Sequence, residues 1–76
     1  MGEERSSWPV VGDVVEIPEP DYCYGVGTLV MRVTAIRDSP ARPGWAYLRG
    51  VQLADDGSEV KEREVLARLA AVRRLN

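Results

Sequence analysis

Apolar and polar residues alternate in three short stretches of the chain, at residues 14–17, 28–36 and 45–53. In the first stretch, Val15 and Ile17 share one parity and a polar residue lies between them. A period of two residues is typical of a half-buried β-strand, because successive side chains point to opposite faces. Segments rich in proline and glycine separate the stretches and predict turns. The chain is therefore expected to be mainly β.

The second stretch is the clearest strand, and a fourth strand follows the third stretch. Four apolar residues of the second stretch share a face that is expected to point inward: Leu29, Met31, Val33 and Ala35. Its β-branched residues also favour a strand. After the third stretch, Asp56-Gly57 is a strong signal for a tight turn. The chain is expected to return from this turn as a fourth strand over residues 58–61.

The alternation in the third stretch changes phase at Gly50. The apolar residues on either side of it have opposite parities: Ala46 and Leu48 before it, and Val51 and Leu53 after it. A β-bulge at Arg49-Gly50 would place all four on one face. It would also bend the strand, as a small barrel requires. We therefore predict a bulge in the third strand at this position.

The C-terminal segment, residues 62–75, allows two interpretations. It is rich in helix-forming residues, and Val65, Leu69 and Val72 recur at helical spacing. A closed barrel needs a fifth strand, however, and residues 65–69 are long enough to form a short one. We favour the short strand followed by a helical turn, and a complete terminal helix stays open as the alternative.

Composition predicts one small domain without cofactor or metal. The 76 residues are 45% hydrophobic and 29% charged, which is typical of a globular protein. We expect a flexible arm over residues 1–7 and one domain over residues 8–76, with Trp8 as a lid on one end. Cys23 is the only cysteine and there is no histidine, so an intrachain disulfide and a Cys/His zinc site are excluded. No stretch reads as a signal peptide or a membrane span, so a cytoplasmic protein is expected.

Charge is distributed unevenly along the chain, whose net charge is −2. Residues 1–30 contain six acidic residues and one basic residue, whereas residues 60–76 contain five basic and two acidic residues. The two regions either attract each other in the fold, or the basic one forms a separate contact surface. In the second case the candidate nucleic-acid-binding residues are Lys61, Arg63, Arg68, Arg73 and Arg74.

The order of these features resembles the SH3-like small barrels, a group that includes SH3, Tudor, KOW and bromo-adjacent-homology-like modules. The resemblance covers about residues 10–69. It rests on an opening strand at residues 12–17, an aromatic loop that ends at residues 24–27, a long second strand, a proline-rich loop, a strand that begins with Trp45 and the Asp56-Gly57 hairpin. It implies a five-stranded barrel that binds ligands through its long loops. The ALYDY-like stretch of eukaryotic SH3 domains is absent, so the resemblance does not imply recognition of PxxP peptides.

Among function classes, the residues favour binding over catalysis. Without histidine the chain has no general base that titrates near neutral pH, so we expect no enzymatic activity. Tyrosine and tryptophan suit interfaces because they combine apolar area with a polar edge. We therefore predict a module that binds a protein or peptide through its aromatic loops. Association through an exposed sheet edge, or with a second copy of the chain, stays open. The resemblance to SH3-like barrels implies that the contact residues are Tyr22, Tyr24, Trp45 and Tyr47, and we expect Arg42 and Arg49 to orient acidic or carbonyl groups. Nucleic-acid binding by the basic segment is the alternative.

Overall fold

A computed structural model describes residues 9–23, 25 and 27–75. They form one antiparallel sheet of five strands: β1 (Val14–Ile17), β2 (Leu29–Asp38), β3 (Trp45–Leu53), β4 (Glu59–Arg68) and β5 (Arg73–Arg74). The strand order across the sheet is β4-β3-β2-β1-β5. The mainly β prediction is confirmed, and β1 and β3 have the predicted bounds. The predicted arm over residues 1–7 and the Trp8 lid lie outside the described residues.

The C-terminal segment forms a strand, a short turn and a second strand. β4 continues through Arg68, a 3₁₀ turn follows at Leu69–Ala71, and β5 pairs with β1. The complete terminal helix is therefore wrong for the described residues. Residues 65–68 of the strand predicted at residues 65–69 are the end of β4, Leu69 begins the 3₁₀ turn, and the fifth strand comes later. Pairing along β3 outweighs the helix propensity of this segment, because propensity alone is a weak determinant.

The bulge beside Gly50 lies in β2 and not in β3. The register between these strands shifts between Val33 and Ala35, so Thr34 is the additional residue. Gly50 pairs with Val33 at this point and is buried. β3 keeps its phase through Gly50, so the predicted bulge at Arg49-Gly50 is wrong. The additional residue in β2 changes the register between the strands, and Gly50 of β3, which has no Cβ, leaves room for it.

The inward faces of the strands enclose one hydrophobic core. It contains Val15, Ile17, Tyr22, Leu29, Met31, Val33, Ala46, Leu48, Val65, Ala67, Leu69 and Val72. β1 and β4 stand near opposite ends of the strand order, yet both contribute to this single cluster. The sheet must therefore curl. The chain after β1 also reaches the outer edge of β4, where the Cys23 N–H donates to the Leu66 carbonyl at 2.9 Å.

The β3–β4 hairpin contains a turn that an aspartate side chain stabilises. Gly57 has a φ of 86°, a left-handed conformation that favours glycine. A carboxylate oxygen of Asp56 accepts hydrogen bonds from the Ser58 hydroxyl at 2.7 Å and from the Ser58 backbone N–H at 2.9 Å. These donors, the hydroxyl first, favour the charged carboxylate and lower the pKa of Asp56 below its ordinary value.

Acid is expected to weaken this turn. Because folding lowers the pKa of Asp56, the carboxylate stabilises the fold above the ordinary aspartate pKa of about 4. That stabilisation is lost as pH falls through the lower folded-state pKa. Asp56→Asn should therefore be less stable than wild type at neutral pH, and the difference should shrink towards about pH 2. Urea unfolding over a pH series measures this difference. Asp55→Asn is the matched control, and a gap for Asp56→Asn that is constant over the series would contradict the assignment.

Candidate functional site

The outward face of β3 carries the aromatic residues at the centre of the candidate site. Ala46 and Leu48 point into the core and are fully buried. The residues that alternate with them, Trp45, Tyr47 and Arg49, therefore lie on the other face. Trp45 and Tyr47 are half-buried and Arg49 is exposed. The strand thus presents two large rings and a guanidinium in one row.

An arginine from outside β3 is stacked on each of the two rings. The guanidinium of Arg37, on β2, lies 4.5 Å from the centroid of the Tyr47 ring. That of Arg42, in the β2–β3 loop, lies 4.1 Å from the centroid of the Trp45 ring. A turn holds this loop, because the Trp45 N–H donates to the Arg42 carbonyl at 3.0 Å. Stacking attracts the cation to the ring, and a planar guanidinium stacked in this way keeps N–H donors at its edge.

A shallow groove of about 430 Å³ runs along the Tyr47 side of this face. It is lined by Ala35, Ile36, Arg37, Tyr47, Arg49 and Glu64. Strand pairing places Arg37 opposite Tyr47 and Glu64 opposite Arg49. Arg37 is also within 3.5 Å of the Glu64 carboxylate, a long and exposed ion pair. The groove therefore borders the Tyr47 ring and has charged groups from β2, β3 and β4 around it.

A second groove, of about 300 Å³, lies beside Trp45. Its lining comes mainly from the β2–β3 loop and consists of Asp38, Ser39, Pro40, Pro43, Gly44, Trp45 and Leu69. The Leu69 N–H donates to the Gly44 carbonyl at 2.8 Å, which joins the loop to the 3₁₀ turn after β4. Trp45 and Tyr47 are two residues apart on one strand face, so the two grooves border neighbouring side chains of the same surface.

Tyr22, one of the predicted contact residues, belongs to the core. Its side chain is only 6% exposed, and its hydroxyl donates to the Gly27 carbonyl at 2.7 Å. The ring supports the loop between β1 and β2 from inside and offers little surface to a partner. Tyr24 lies outside the described residues. The structure thus brings together Trp45, Tyr47, Arg42 and Arg49 of the predicted set.

The basic residues of the C-terminal segment mostly contact acidic residues of the first half. Three ion pairs make this connection: Arg68 with Asp21, Arg73 with Glu16, and Arg74 with Asp13. Arg63 donates to the Gln52 side chain at 3.2 Å, and Lys61 is exposed. The charge asymmetry of the sequence therefore corresponds to attraction within the fold. These five residues do not form one uncompensated basic patch.

Two residues that line the groove along Tyr47, Arg37 and Glu64, were not among the predicted contact residues. Strict alternation along β2 places Ala35 inward with Val33, but the bulge at Thr34 reverses the phase, and Ala35 is exposed. The inward prediction for Ala35 is therefore wrong. The same shift places Arg37 opposite Tyr47 on the outward face. No local signal in the sequence marks a bulge at a threonine inside a regular strand.

Within residues 9–23, 25 and 27–75, no helix has the length and apolar character needed to cross a membrane. The same residues contain no group of three or more histidine, cysteine, aspartate or glutamate side chains arranged to hold a metal ion. Cys23 is half-buried and carries a free thiol.

Comparison with known proteins assigns this chain to no family. No protein-family model matches the chain. No curated protein matches it, and no solved structure does so either. The role of the outward face is therefore inferred from its own geometry and chemistry.

Proposed function

We propose that this chain is a non-enzymatic, SH3-like binding module, and that it binds a protein or peptide on the outward face of β2 and β3. The observation that carries the proposal is the pair of arginine-stacked rings, Arg37 on Tyr47 and Arg42 on Trp45, beside an open groove. Five strands that curl around one core support the SH3-like assignment. Because side chains fill this core, a ligand binds on the surface.

The composition of this face is that of a binding surface. Tyrosine, tryptophan and arginine are the residues most enriched at the energetically dominant positions of protein interfaces. Trp45 and Tyr47 are already half-buried, and their neighbours Ala46 and Leu48 are fixed in the core. Rings held in place in this way lose little conformational entropy when a partner covers them. The surface is therefore preorganised for an extended peptide or a protein loop.

The alternative, nucleic-acid binding by the C-terminal segment, has less support. A nucleic-acid site requires cations that neutralise phosphates. Arg68, Arg73 and Arg74 each contact a carboxylate of the same chain. A phosphate backbone would have to displace these carboxylates before it gained the arginines.

Selection from a random peptide library tests the proposal. Peptides selected on the wild-type protein should bind Tyr47→Ala at least about fivefold more weakly, since truncation of a central interface ring costs more than about 1 kcal/mol. Leu75→Ala is the matched control, because Leu75 is also exposed but lies in the chain beyond β5, away from the groove. Its affinity for the same peptides should equal that of wild type. Fluorescence anisotropy measures both affinities.

Amide chemical-shift mapping on the wild-type protein gives a second measurement that needs no variant. Selected peptides should shift the amide resonances of Arg37, Tyr47 and Arg49 and leave those of β1 unchanged. Thermal unfolding of Tyr47→Ala establishes whether that variant is folded. The proposal fails if the shifts map elsewhere, if folded Tyr47→Ala binds as tightly as wild type, or if the library yields no binder.

A further inference from the structure

The outward face of β2 and β3 is richer in cations than the chain as a whole. Arg37, Arg42 and Arg49 surround its two rings, and the carboxylates that line the two grooves are those of Asp38 and Glu64. The whole chain, by contrast, has a net charge of −2. The cationic surplus is therefore local, and it coincides with the aromatic groove.

Two of these arginines have a weak ion pair with a carboxylate or none among the described residues. Arg49 makes no ion pair with any residue that the structure describes. Arg37 has a side chain that is 66% exposed, and its contact with Glu64 is 3.5 Å long. An exposed ion pair of this length contributes little to stability, so a ligand carboxylate can replace Glu64 while the Arg37 guanidinium stays on the Tyr47 ring. Both guanidinium groups border the same groove.

On this basis we infer that the partner segment is acidic. It is an extended peptide whose Asp or Glu carboxylates bind the guanidinium groups of Arg37 and Arg49, while an apolar side chain packs in the groove against the part of Tyr47 that Arg37 leaves uncovered. Arginine suits this role because its planar fork matches the two oxygens of a carboxylate. The inference rests on the proposed function, which locates binding on this face without specifying the charge of the ligand.

The carboxylates of the neighbouring strand β4 favour binding of a short acidic ligand over binding of a long polyanion. Glu62 and Glu64 lie on the outward face of β4, where they pair with Val51 and Arg49 of β3. Glu59 lies nearer the hairpin. A nucleic-acid strand that continued past the groove would run against these carboxylates, and polyanion binding requires several neutralised phosphates. One or two carboxylates at Arg37 and Arg49 avoid that repulsion. Glu64 is then the residue that limits affinity, because it competes with the ligand for Arg37.

Three charge variants test the inference. Arg49→Gln should weaken an acidic peptide about tenfold, the usual effect of a lost charge-assisted hydrogen bond. Lys61→Gln removes the same charge from β4 near the hairpin and should change affinity less than about twofold, as expected for a screened, distant charge. Glu64→Gln should strengthen binding about threefold, because it removes the competing carboxylate. Anisotropy titrations at low and moderate salt measure these ratios.

The probes are a short labelled peptide of glutamate residues around one central leucine, its glutamine and lysine counterparts, and an oligothymidylate. We expect the glutamate peptide alone to bind and to shift the amide resonances of Tyr47 and Arg49. The inference is overturned if the glutamine or lysine peptide binds as well, if Arg49→Gln and Lys61→Gln weaken binding equally, or if the oligothymidylate binds this face more tightly. It is also overturned if the glutamate peptide does not bind.

Failure of the inference is distinguishable from failure of the proposed function. If neutral or basic library peptides bind in a way that depends on Tyr47, the face is a peptide-binding site and only the acidic assignment is wrong. If no library peptide loses affinity when Tyr47 is replaced by alanine, the proposed function itself is wrong. Binding of the glutamate peptide that is sensitive to both Tyr47→Ala and Arg49→Gln supports both.

Discussion

Gly50→Ala is expected to prevent stable folding of this domain. A Cβ at this position would overlap the carbonyl oxygen of Arg32, and it would lie 2.9 Å from the carbonyl carbon and 3.0 Å from Cε of Met31. The methionine can move, but the Arg32 carbonyl belongs to the paired backbone of β2. We expect a loss of at least about 3 kcal/mol, the upper range for an overpacked core. That is a large part of the roughly 4–11 kcal/mol that stabilises a domain of this size.

Gly57→Ala separates this packing effect from a general effect of replacing glycine. A Cβ at Gly57 would meet open space, and the cost arises from its φ of 86°. A left-handed residue with a side chain costs about 1–2 kcal/mol, so this variant should fold. Urea denaturation followed by circular dichroism gives both free energies of unfolding. If Gly50→Ala were as stable as Gly57→Ala, the close approach of β2 to β3 at the bulge would be incorrect.

Leu48→Ala is expected to have the next largest effect. Leu48 lies in the middle of β3 and its side chain is completely buried in the core. Removal of a buried leucine side chain costs about 2–5 kcal/mol, since apolar contacts are lost and a cavity is left. A small core has few other contacts to compensate, so the variant should unfold at a much lower urea concentration.

Leu75→Ala makes the same chemical change at a side chain that is 48% exposed. Its effect on the free energy of unfolding should stay below about 1 kcal/mol, as is usual at surface positions. Chemical denaturation of the two variants under identical conditions compares them directly. Equal losses in the free energy of unfolding for the two variants would mean that the Leu48 side of β3 does not face the core.

The sequence was informative where local pattern and tertiary packing agree. The alternation around Val15, Ile17 and Leu48 predicted strands and their inward faces, and the structure confirms them. It was least informative after residue 61, where a helix-forming composition lies in a long strand. There the hydrogen bonds to β3 decide the conformation, and they depend on residues far away in the sequence.

The candidate site was only partly predictable, for a related reason. Trp45 and Tyr47 share a strand, so their common face follows from spacing alone. Arg37 and Glu64 meet them only through the register of neighbouring strands, and the bulge at Thr34 sets that register on β2. Tyr22 shows the opposite difficulty. An aromatic residue in a polar loop looks like a surface contact, but it fills the core when the loop folds over it.

The position of β5 beside β1 affects how the nascent protein acquires its structure. Asp13 and Glu16 are synthesised well before Arg74 and Arg73, which neutralise them. Until these arginines leave the ribosome, β1 lacks its outer neighbour, and Asp13 and Glu16 lack these two ion pairs. Folding of this domain is therefore not complete before Arg73 and Arg74 have emerged, and a shorter nascent chain exposes one flank of its first strand to proteases and chaperones.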